Sequence, residues 1–330
     1  MKQLIAITSL LVAQIASAAE PLTDADRKQV VQAIVEHLES EYVDPQVGQR
    51  AAKVLRKKSA ANAFKSAATG PAFAEVLTRE LRDETGDGHL NVEYSEKPLS
   101  AEVQANDEFT AQEMERYYGA HVNFGVRKAE RLDNNIGLLD LSVFPPAQMG
   151  GDTVAAAMQV IAHTDALMID LRNNGGGSDT VALVASYLFD ERQPLSGIYN
   201  RPANETQQNF TLPYVPGAKF GGTKPVYVLI SKRTFSAAEA LAYDLQALKR
   251  ATILGEPSGG GAHPFNYRRI HPHFVLWSVT EKSVNPITGG NWQDVGVQPD
   301  VLIESARALE RAIELITARL EQQSKASPSH

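Results

Sequence analysis

Apolar positions first recur at helical spacing. In "TDADRKQVVQAIVEHLES" Val30, Ile34 and Leu38 share one face, and Thr23 to Asp26 supply a capping signal at its start. Two further amphipathic stretches follow, "DPQVGQRAAKVLRKKS" and "GPAFAEVLTRELRDET", separated by the small-residue run "SAANAFKSAATG". Together they predict a small helical N-terminal domain over residues 20–87. From about residue 88 the period shortens toward strands, in "HLNVEY", "HVNFGVRKAE" and "NIGLLDLSVF". Strands and helices then alternate. "ALMIDLR" leads through the glycine run "NNGGGSD" into a helix over "TVALVASYLF", and "PVYVLIS" leads into a helix beginning near Ser236 and then into "ATILGE". Apolar strands alternating with helices imply βαβ units around a buried sheet, an α/β core over residues 88–323. Residues 191–224 are rich in Pro and Gly and read mostly as loop. "ESARALERAIELITARLEQQ" reads as a terminal amphipathic helix, and residues 324–330 as a disordered tail.

The first residues, "MKQLIAITSLLVAQIASAAEPL", change the cellular setting. Lys2, an apolar run too short to span a bilayer and the small residues Ala16 to Ala19 read as a cleaved secretory signal over residues 1–19, against the alternative of a buried N-terminal helix. The expectation is an exported protein, periplasmic or secreted. It has no cysteine, so its stability must come from a core without disulfides. A formal charge of −7 with both signs interspersed leaves no nucleic-acid footprint. No later segment reaches the roughly 18 apolar residues of a membrane span.

Candidate chemistry centres on Ser236. Ser236 to Glu239 spell S-x-x-E before an Ala/Leu-rich segment, the capping box, so on this stretch alone the residue reads first as a helix cap, and a nucleophile reading needs support from elsewhere in the chain. Three glycine-rich turns stand at strand ends: "DLRNNGGGSD", "LGEPSGGGAHP" and "NPITGGNWQD". Such turns bring backbone N–H groups close to a ligand, an anion or an oxyanion. None matches a phosphate or dinucleotide cradle, so no cofactor is expected. His271 and His273 share a strand face without a nearby third ligand, so no metal is expected either.

In order along the chain, "LMIDLRNNGGGS", "SKRTFSAAEALAYDLQALKRATILGEPSGGGAHP" and "NWQDVGVQPDV", with weaker support from "GDGHLNV", resemble the tail-specific or C-terminal processing proteases. Their relatives include the tricorn core protease and the interphotoreceptor retinoid-binding protein. The resemblance implies a crotonase-like βαβ spiral. It places the nucleophile at Ser236 and the oxyanion hole at the backbone N–H groups of Ala237 and of Gly175 or Gly176. A serine at a helix start lies beside unsatisfied N–H groups and the positive end of the helix dipole, so cap and nucleophile can coincide.

The lysine base of the processing branch is missing from "GEPSGGGAHP". The tricorn and retinoid-binding branch resembles the chain at "GDGHL", which implies His89 as base, with His263 as second choice. That branch's "NWEG" reads "NWQD" here, so the orienting acid falls on Gln293, with Asp294 beside it, and Gly88 replaces the branch's serine. Asp170 and Arg172 are expected to hold the glycine loop and to take no part in bond breaking. Only about 40 residues separate "HLNV" from "GLLDLSV", leaving no room for an inserted PDZ module. The implied activity is a serine-type peptidase acting on polypeptides through an acyl-enzyme, with homo-oligomer formation left open. The rival is a binding protein for hydrophobic ligands with a weak or vestigial triad.

Overall fold

The structure, a computed structural model, describes residues 22–100 and 111–326. The secretory-signal segment therefore lies outside the described residues, as does the tail beyond 326. Three helices open the chain, α1 (Asp24–Ser40), α2 (Pro45–Ala60) and α3 (Gly70–Thr85), followed by β1 (Asn91–Tyr94), α4 (Ala111–Tyr118), β2 (Val126–Leu132), β3 (Ile136–Leu141), α5 (Ala147–Ile161) and β4 (Ala166–Asp170). Next come α6 (Thr180–Ser186), β5 (Pro194–Asn200), β6 (Glu205–Phe210), β7 (Val226–Ile230), α7 (Ala237–Ala247) and β8 (Thr252–Gly255). β9 (Asn266–His271), β10 (Phe274–Ser278), β11 (Glu281–Val284), β12 (Val301–Leu302) and α8 (Ala308–Ala326) complete it.

The main sheet has six strands in the order β12-β8-β7-β4-β3-β2, parallel except where β2 meets β3. Its central strands β4 and β7 are buried on both faces, as a parallel sheet covered on both sides requires. Alternation in β4 explains the layers. Leu167 and Ile169 pack with Val154, Met158, Leu241 and Leu245 of α5 and α7, whereas Ala166 and Met168 pack with Ala312 and Ile316 of α8. Among the described residues no helix is long and apolar enough to cross a membrane.

The N-terminal helices begin where the sequence places them. The Thr23 N–H donates to Asp26 Oδ2 at 2.9 Å while the Asp26 N–H donates to Thr23 Oγ1 at 3.1 Å, the capping box of α1. They share one apolar core with β1, β9 and β10: Ile34, Leu38, Leu77 and Leu81 pack with Val92, Phe274 and Leu276. The helical unit thus carries its own antiparallel sheet, β1-β10-β9, two strands of which come from far along the chain.

Two expectations are refined. Most of residues 191–224 is loop, but β5 and β6 pair within it as an antiparallel hairpin, which β11 extends. β6, "ETQQNF", is a polar edge strand whose first four residues are exposed, so it carries no hydrophobic alternation to read. The tail also starts later, since α8 continues through residues 324–326.

Candidate active site

Parallel strands release their loops on one side of a sheet, and that end is where ligand crevices form in open α/β sheets. β4 and β7 are neighbours in register, with Asp170 opposite Leu229, and β8 lies beside β7, with Gly255 opposite Ile230. Their three following loops, Asn173–Ser178, Ser231–Ser236 and Ser258–His263, therefore meet. They border a cavity of about 1220 Å³ whose walls include Gly175, Ser236, Ala237, His263 and, from the helical unit, His89.

Ser236 does not have the backbone of an ordinary cap. Thr23, Asp44 and Thr69 cap α1, α2 and α3 in the extended region, as N-caps do. Ser236 stands at φ 53°, ψ −119°, a conformation that favours glycine and costs a residue with a side chain about 1–3 kcal/mol. Surrounding contacts hold it there. Its N–H donates to Glu239 Oε2 at 2.8 Å, and the same buried carboxylate accepts from Ser258 Oγ at 2.5 Å and from the Gly260 and Gly261 N–H groups at 2.6 and 2.8 Å. Glu239 therefore ties the serine to the third glycine turn. Burial pushes its pKa up, against the four donors that favour the ionised form.

The first glycine run is tied in by Asn174. Its backbone carbonyl accepts from the Phe235 N–H at 3.1 Å, and its Oδ1 accepts from the Gly176 N–H at 2.9 Å. The two oxyanion candidates are thereby separated: the Gly176 amide is already engaged, whereas Gly175 lines the cavity. Gly176 serves close approach instead. At φ 109°, a Cβ there would sit 2.7 Å from the Ser236 Cβ and 3.0 Å from the Ala237 nitrogen. A Cβ on Gly175 would meet nothing within 4 Å. Gly176→Ala is accordingly expected to lower unfolding free energy in urea by about 1–3 kcal/mol. Gly175→Ala should leave the urea midpoint close to wild type; equal midpoints for the two variants would contradict this packing.

His89 is buried between the rings of Phe235 and Phe265, with centroids 4.7 and 5.8 Å away. Gly88 fits the same packing, because a Cβ there would lie 3.1 Å from Phe235 Cζ. No hydrogen bond joins the His89 ring to the Ser236 hydroxyl among the described residues. Burial lowers the His89 pKa to about 4, with Asp87 opposing that shift and His263 and Arg82 adding to it. The ring is therefore neutral at pH 7 and able to accept a proton.

The expected third members are elsewhere. Gln293 Oε1 accepts from the Ala262 N–H at 2.8 Å and its amide donates to Asp294 Oδ1 at 2.8 Å, and Asp294 is exposed at φ 68°. Among the described residues neither hydrogen-bonds to His89 or His263; the segment instead bonds the third glycine turn at Ala262 and, through the Asp294 N–H, at the Gly260 carbonyl. The acid among the histidines is Asp87, fully buried, whose Oδ2 lies 2.7 Å from His263 Nδ1 and accepts from the Tyr42 hydroxyl at 3.0 Å. The signal for it was present in "GDGH", an acid two residues before the histidine. Asp170 and Arg172 form a two-pronged ion pair, at 2.9 and 2.6 Å, and Arg172 also donates to the Ser305 carbonyl at 2.7 Å. They brace the loop base against the segment before α8, away from the cavity.

A pattern described as peptidase family S41 matches residues 135–303, just over half of the chain and including all three glycine loops. The chain belongs to peptidase family S41. Residues 22–119 match the N-terminal domain of this family in eukaryotic interphotoreceptor retinoid-binding protein, in line with the branch resemblance read from "GDGHL". A carboxy-terminal-processing protease of Bartonella bacilliformis is 29% identical over 182 residues, covering 53% of this chain and 40% of that relative. The S41 chain thus corresponds to less than half the length of that protease. Among solved structures, a protein of Parabacteroides merdae superposes with a TM-score of 0.61 at 19% identity, covering 93% of this chain and 99% of the other. The tricorn protease superposes with a TM-score of 0.52 at 14% identity, covering 90% of this chain and 37% of its own. These two likenesses concern the fold.

Proposed function

We propose that this S41 chain is a serine peptidase that cleaves polypeptides through an acyl-enzyme on Ser236, with His89 as the base. The observation that carries the reading is the strained Ser236 backbone at the mouth of α7, since a residue serving only as a cap has no need of it. Ser236 Oγ attacks the scissile carbonyl carbon as its proton passes to His89 Nε2. The oxyanion forms against the N–H groups of Ala237 and Gly175, beside the positive end of the α7 dipole. Collapse breaks the C–N bond, and the leaving amine takes the proton from His89. Water then attacks the ester with His89 again as base, and Ser236 recovers its proton.

The crotonase-like spiral is supported by the βαβ order of β3 to β8 around the parallel sheet. Absence of a PDZ module is supported by the short chain path between β1 and β3. Export is supported by the N-terminal sequence pattern alone. One observation favours the rival reading, a binder of hydrophobic ligands: the cavity walls carry Leu195, Ile198, Phe210 and Leu212 while His89 and Ser236 are not hydrogen-bonded. Incubating the full chain with an unfolded polypeptide and following fragments by mass separates the two. New peptide termini are expected. Intact substrate together with tight binding of a fatty acid would favour the rival.

A further inference from the structure

His89 carries a polar atom with nothing to bond. Its Nδ1 is buried and has no hydrogen-bond partner, while it faces Asp87 Oδ1 at 3.8 Å. Buried unpaired polar atoms are rare enough to require an explanation. Asp87 can supply one. Oδ2 is occupied by His263 and Tyr42, but among the described residues Oδ1 accepts only the His89 backbone N–H, at 2.9 Å, and a carboxylate oxygen has room for a second donor. Burial would raise the Asp87 pKa, yet the hydrogen bonds from His263 and the His89 backbone N–H hold it below the ordinary carboxylate range.

Resting on the serine-peptidase reading above, we propose that Asp87 is the positioning residue of the base: when the site reacts, the His89 ring tilts and its Nδ1–H donates to Asp87 Oδ1. That contact fixes the tautomer in which Nε2 accepts the Ser236 proton, and it stabilises the imidazolium that results. The shift needed is about an ångström or less, from 3.8 Å to the ~2.7–3.2 Å of a hydrogen bond. His263 and Tyr42 keep Asp87 in place from the other oxygen. The role that the family pattern put at Gln293 is thereby met within the same short segment as the base. Other charged groups near the pair are Arg82 of α3, which disfavours the imidazolium, and Asp294, which lies toward Tyr42.

The test uses a fluorophosphonate on the full chain, with the phosphonylation rate of Ser236 measured in wild type, Asp87→Asn and Gln293→Ala. Asp87→Asn is expected to slow the rate by about 10²-fold or more, and Gln293→Ala to slow it at least tenfold less. A positional effect is distinguished from a merely structural one by ¹⁵N-histidine spectra of the phosphonylated protein. The pH at which His89 loses its ring proton should fall by at least about one unit in Asp87→Asn, the loss of one favourable charge contact. If Asp87→Asn does not fold, the structure of the wild-type adduct decides, with Nδ1 within about 3.2 Å of Asp87 Oδ1 expected. A folded Asp87→Asn that reacts at the wild-type rate, or an adduct in which Nδ1 bonds Gln293 or Asp294, overturns the proposal while leaving the peptidase reading intact. Wild-type protein that does not react at all removes both.

Discussion

Ser236→Ala is expected to reduce acyl transfer by about 10⁴-fold or more, since no other group in the cavity replaces the attacking oxygen. Its partner experiment is Ser236→Gly. The sequence alone suggests that removing the hydroxyl would weaken α7 through a lost cap. The backbone at φ 53°, ψ −119° reverses the sign for glycine, which occupies that region without steric cost. Ser236→Gly should be inactive and more stable than Ser236→Ala by about 1–3 kcal/mol, the strain that Ala still bears. Urea unfolding monitored by circular dichroism gives the comparison. A glycine variant less stable than the alanine variant would mean that Ser236 is held as a cap and not strained for reaction.

Acid should unfold the protein through its buried histidines. His37 of α1 and His89 both have their pKa lowered by burial from 6.5 to about 4. Their stabilising contribution is complete above pH 6.5, where both states are neutral. It falls as pH drops toward 4, because the unfolded chain takes up protons that the folded chain refuses. Each histidine is worth about 3 kcal/mol at 1.36 kcal/mol per pKa unit. Asp244 opposes them. Burial raises its pKa from 3.8 to about 6 despite hydrogen bonds from Ser196 and Asn285, so its unfavourable ionisation is relieved over much of the same range. The net expectation is a loss on the order of 3 kcal/mol between pH 7 and 4. His37→Leu, which replaces the buried ring beside Ser278 with an apolar side chain, should remove about half of the histidine contribution. Urea midpoints that stay level from pH 7 to 4 would contradict the assignment.

Parts of the molecule with one-dimensional signals were legible in the sequence. The Thr23 to Asp26 cap, the apolar runs of β4 and β7 and the four-residue apolar spacing of α1 each follow from a few neighbouring residues. The β1-β10-β9 sheet under the helices was not, because its pairing joins residues nearly 200 positions apart, such as Val92 with Leu276. β6 escaped because a polar edge strand has no buried face to pattern. At the site, Ser236, His89 and Gly175 could be named from motifs, and they border one cavity. The choice between Gly175 and Gly176 depended on where Asn174 Oδ1 points, which no spacing encodes. Asp87 was overlooked although it lies two residues from His89. Its importance comes from His263 and Tyr42 converging on it from 176 and 45 positions away.

The central claim is that Ser236 is a reactive nucleophile, and mass spectrometry after exposure of the native chain to a fluorophosphonate tests it most directly. The account predicts one phosphonyl group per chain, mapped to Ser236 and absent when the protein is heat-denatured before exposure. An unmodified native chain, or an adduct that maps to any other residue, would contradict it.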